Sequence, residues 1–61
     1  MFIKLHYWIT NRVVYVKKDN INAIVFEESR GNSEIFFADQ SLYVKETPEQ
    51  ILNLIKENKD V

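Results

Sequence analysis

The chain has no cysteine and only one histidine, one glycine and one proline. Without thiols there are no disulfides, no thiolate nucleophile and no cysteine-ligated zinc. The lone His6 would need two or three further metal ligands, and the carboxylates lie at no ligand spacing. His6 therefore reads as a structural or interface residue, and no metal or cofactor is expected. A single glycine, Gly31, excludes a glycine-rich phosphate loop. No apolar run approaches the roughly 20 residues of a membrane-spanning helix, and no basic-then-apolar leader opens the sequence. A soluble, unexported, cytoplasmic protein is the expectation. Eight basic and nine acidic residues give a net charge of −1, which supplies no global attraction to nucleic acid or anionic lipid.

What is present is a short chain with much apolar surface. Its 61 residues are expected to make one domain over 1–61. A chain of this size buries only about 60% of the surface its unfolded form exposes, so a lone monomer is marginally stable. The usual supplements are disulfides, a metal or association. Composition removes the first and nearly the second, leaving homo-oligomerisation, most simply a dimer.

The segment Phe2–Ile9 alternates Ile3, Leu5, Tyr7 and Ile9 on one face with Phe2, Lys4, His6 and Trp8 on the other. It reads as a strand with apolar residues on both faces. Thr10-Asn11-Arg12 is a polar break, and Val13–Lys17 is a second strand with Val14 and Val16 on one face. Ile21, after Lys18-Asp19-Asn20, is expected to be carried into the core by a short turn. Further strands are expected at Ala23–Glu28, Glu34–Ala38 and Leu42–Glu46, with a hairpin loop at Ser29–Ser33 around Gly31. Thr47-Pro48-Glu49-Gln50 has the residues of a capping box, with proline at the first helical position. The following helix of about 11 residues would carry Ile51, Leu52, Leu54 and Ile55 inward, with Lys56 and Lys59 at its negative end. The expected fold is α+β: a small antiparallel sheet of about four to five strands followed by one C-terminal helix packed on one face. A helix roughly 16 Å long covers one face of such a sheet and leaves the other open.

Catalytic constellations are missing from this pattern. Glu27 and Glu28 are adjacent and so point to opposite faces of a strand, which rules out a paired acid and base. Ser29, Ser33 and Ser41 sit at turn positions without a nucleophile-elbow motif. The chain is expected not to be an enzyme, with no catalytic residue.

Met1-Phe2-Ile3-Lys4-Leu5, the Ile21 and Ile24 pair, the later hairpin and Tyr43–Ile51 together resemble the small flagellar and swarming motility proteins and related hypothetical proteins of low-GC bacteria and their phages. The similarity runs over nearly the whole chain, through core positions and a helix cap. It departs at the first turn, where those proteins have a polar, glycine-containing segment and this chain has Tyr7–Asn11. The resemblance implies the architecture and a non-enzymatic character, and it carries no site residues.

The candidate self-association or partner-binding residues are Phe2, His6, Trp8, Tyr15 and Phe36, with Arg12 and Arg30 as polar rim contacts. The leading expectation is a homodimeric interaction module that regulates or inhibits a larger host protein, a job that fits phage-encoded counter-defence. Two alternatives stand beside it. One is binding of single-stranded nucleic acid by the Lys4, His6 and Trp8 face, which mixes rings and cations. The other is a motility-associated accessory role.

Overall fold

The computed structural model describes residues 1–57. Five strands and one helix follow in order: β1 (Phe2–His6), β2 (Val13–Lys17), β3 (Ala23–Glu27), β4 (Asn32–Phe36), β5 (Ser41–Val44) and α1 (Pro48–Glu57). All pairings are antiparallel, and the architecture is α+β. The expected single sheet is instead two, a two-stranded β1-β2 sheet and a three-stranded β3-β4-β5 sheet. The reason lies in where β1 ends. Its ladder to β2 stops at the His6–Val13 pair, and only the isolated Tyr7–Val44 bridge links it to β5. Two backbone bonds flank that bridge: Trp8 N–H donates to the Tyr43 carbonyl at 3.0 Å, and Lys45 N–H donates to the His6 carbonyl at 2.9 Å.

The first strand is therefore shorter than expected. From Tyr7 the chain turns: Tyr7 N–H donates to the Arg12 carbonyl and Asn11 N–H to the Tyr7 carbonyl. Asn11 takes the left-handed conformation, φ 62°, which asparagine tolerates better than most residues. Ile9, expected on the strand face shared with Ile3 and Leu5, lies in this turn and is 88% exposed. The 3-10 turn at Lys18–Asn20 brings Ile21 half-buried against the core, as its position beside Ile24 suggests.

One hydrophobic cluster unites both sheets and the helix. It contains Ile3 and Leu5 of β1, Val16 of β2, Ile35 of β4, Val44 of β5 and Ile51 of α1. Gly31, at φ 73°, closes the β3-β4 hairpin. Strand β4 begins at Asn32 rather than Glu34, so Asn32 and Ser33 are strand residues and wholly buried. The helix starts as the capping box requires: Gln50 N–H donates to Thr47 Oγ1 at 3.3 Å, and Thr47 N–H donates to Gln50 Oε1 at 2.9 Å. Ile51 is buried and Leu54 and Ile55 pack beside it, whereas Leu52, expected in the same stripe, is 56% exposed. Lys59 lies outside the described residues. No helix among the described residues is long and apolar enough to cross a membrane.

Truncating the one fully buried helix residue opens a cavity in the shared cluster. Ile51→Ala is expected to lose about 2–5 kcal/mol in urea unfolding, and Leu52→Ala much less. Equal losses at the two positions would contradict this packing.

Candidate functional site

Alternation and register divide the exposed side chains into two surfaces. On the β1-β2 sheet, Ile3 opposes Val16 and Leu5 opposes Val14 on the inner face. The outer face carries the pairs Phe2–Lys17, Lys4–Tyr15 and His6–Val13. Phe2 and Tyr15 are 59% and 63% exposed there. On the three-stranded sheet, Ile24, Ile35 and Leu42 point to the core, so Val25, Glu34 and Tyr43 form one row on the outer face and Ala23, Phe36 and Ser41 form the next. The Tyr7–Val44 bridge sets Trp8 opposite Tyr43 and continues the first of these rows onto the segment just after β1.

Where the two sheets meet, Tyr7, Trp8, Ile9, Thr10, Arg12, Val13 and Tyr43 line a cleft of about 510 Å3. Its walls are mainly aromatic and aliphatic, and no carboxylate lines it. Arg30, in the β3-β4 hairpin, places its guanidinium 5.7 Å from the centre of the Tyr43 ring, a cation-π arrangement. The nearest acidic position in the Tyr43 row is Glu34, whose carboxylate accepts from Ser41 Oγ at 2.7 Å.

The expected site residues thus separate. Trp8 and Arg12 come together in the cleft, and Arg30 reaches its edge through Tyr43. Phe36 is half-buried on the outer face of the three-stranded sheet, one row from Tyr43. Phe2 and Tyr15 lie on the outer face of the other sheet. Sequence reasoning placed Tyr7 and Ile9 on the Ile3 and Leu5 face of a longer strand and missed Tyr43; the available signal was the Thr10-Asn11-Arg12 break, because a turn there ends the alternation.

His6 takes a different role. Its Nδ1 lies 2.7 Å from Glu46 Oε2, and its backbone N–H donates to Glu46 Oε1 at 3.1 Å. A carboxylate just beyond β5 therefore grips both the ring and the backbone of the last β1 residue. Around this pair, His6, Asn11, Lys45, Glu46 and Gln50 line a shallow recess of about 280 Å3 that contains no hydroxyl or thiol nucleophile. Among the described residues, no group of three or more histidines and carboxylates is arranged to hold a metal ion.

No protein-family model, curated protein or solved structure matches the chain.

Glu46→Ala removes both bonds to His6 and is expected to cost about 1–3 kcal/mol in urea unfolding at fixed protein concentration. A change under about 0.5 kcal/mol, ordinary for a surface position, would mean the seam does not depend on this carboxylate.

Proposed function

We propose that the chain is a non-enzymatic interaction module that self-associates, most simply as a homodimer, and acts by binding a larger protein. The observation that carries this reading is the imbalance between surface and core. Ile3, Leu5, Val16, Ile35, Val44 and Ile51 are the buried hydrophobics, whereas Phe2, Tyr7, Ile9, Val13, Tyr15, Val25 and Tyr43 are each at least 37% exposed. The helix packs against β1 and β3 on the core side, so it does not cover the outer faces. Exposed apolar surface on this scale in so small a domain supports an interface, and tyrosine, tryptophan and arginine are the residues that dominate interface energetics. Regulation or inhibition of a host protein, including phage counter-defence, is the role that suits such a module.

One observation favours a second reading. The Phe2–Lys17 and Lys4–Tyr15 pairs form a checkerboard of rings and cations on the outer face of the β1-β2 sheet, a pattern suited to stacking and phosphate contact on a single strand. Trp8 is not part of that checkerboard, and His6 is held by Glu46.

Light scattering across a dilution series tests the main reading directly. The expected mass is about twice that of the 7.3 kDa chain, falling only at low concentration. A folded monomer throughout would overturn self-association. Salt-dependent binding of a short oligothymidine, lost in Tyr15→Ser, would favour the nucleic-acid reading.

A further inference from the structure

The outer sheet face carries opposite charges at its two ends. At the β1-β2 end stands Arg12 in the aromatic cleft, and at the β3 end stand Val25 and Glu27, which share the outer face with Tyr43. Between them runs the Trp8, Tyr43, Glu34 and Val25 row. Arg12 and Glu27 make no ion pair among the described residues, where the only salt-bridge contact is His6–Glu46. Strand β3 is an edge strand, paired only with β4; on its outer face Val25 is 44% exposed and Glu27 half-buried.

We propose that a second copy of this chain covers this face, with the Arg12 cleft of each copy receiving Val25 and Glu27 from the β3 edge of the other. The assignment rests on the self-association read above and names its surface. A twofold axis lying in the interface plane, across the middle of the row, turns one face onto the other and reverses the row end for end. Arg12 of one copy then meets Glu27 of its partner, and the same contact recurs on the far side of the axis, as an isologous interface requires. The cleft, at about 510 Å3, is within the ordinary range of about 300–1,000 Å3 for binding pockets. Its lack of carboxylates suits an incoming aliphatic side chain followed by an acid. Arg30, held over Tyr43, stands in the hairpin after Glu27, where its N–H donates to the Glu27 carbonyl. The other exposed surface, around Phe2 and Tyr15, is left free for the larger partner.

The test is a charge exchange read by solution mass and by the emission of Trp8, the only tryptophan. Arg12→Glu and Glu27→Arg should each weaken the dimer at least about tenfold, because each homodimer then juxtaposes like charges twice. The double variant should recover dimerisation, and so should an equimolar mixture of the two single variants, in which every contact again pairs opposite charges. Trp8 emission should shift on dilution together with the mass. Circular dichroism on each variant separates lost association from lost folding. Wild type that dimerises while both single variants dimerise unchanged overturns this surface but leaves self-association standing, as does a double variant no better than the singles. Wild type that is monomeric throughout overturns both.

Discussion

The structure depends on a narrow seam between β1 and β5. The β1-β2 sheet is too small to be stable alone, since a two-stranded ribbon is at best marginal in water. The Tyr7–Val44 bridge, its two flanking backbone bonds and the Glu46 grip on His6 tie the halves together. They thereby bring Ile3 and Leu5 of one sheet over Ile35 and Val44 of the other, with Ile51 of the helix closing the cluster. The seam contributes few bonds of its own; its importance is that the shared hydrophobic cluster exists only when the sheets are held in this relation.

The same geometry explains which parts of the fold were legible. Period-two alternation in β1 and β2 identified Ile3, Leu5, Val14 and Val16 as inward-facing, and Thr47 to Gln50 marked the helix start, because these signals are local. The seam is not local. His6 and Glu46 are 40 positions apart, and no spacing rule connects them. The break of the β1-β2 ladder after His6 took Tyr7 and Ile9 out of the expected strand and into the cleft lining, so one misplaced strand end accounts for both. Asn32 and Ser33 show a different limit. Their polar side chains suggested a loop, yet the tight turn at Gly31 places them in β4 and buries them, leaving Asn32 Nδ2 and Oδ1 and Ser33 Oγ without a hydrogen-bond partner among the described residues. Tertiary placement here outweighs local polarity, and unpaired polar groups reduce what the small core contributes.

The candidate site was legible in kind more than in position. Apolar residues on both faces of the first strand, together with one short helix, implied an uncovered face. Register decided which residues belong to it. The aromatic set divides, with Trp8 continuing the Tyr43 row and Phe2 and Tyr15 lying on the other sheet. One set of exposed rings thus becomes two surfaces with different charge patterns, a cleft bordered by arginine and a checkerboard with lysine.

Fold and site are also linked energetically, because the cleft is made by the seam. Tyr7, Trp8 and Tyr43 belong both to the β1-β5 junction and to the cleft lining. Any partner that fills the cleft presses on residues whose backbone bonds join the sheets, so it binds only the closed seam and stabilises it by mass action. For a self-associating chain this makes folding stability depend on protein concentration. Loosening the seam at Glu46 and emptying the cleft then draw on the same free energy, and their effects should combine by less or more than simple addition, as neighbouring interactions do. If the chain self-associates as proposed, its exposed aromatic residues form a surface completed by a partner rather than by the chain's own helix.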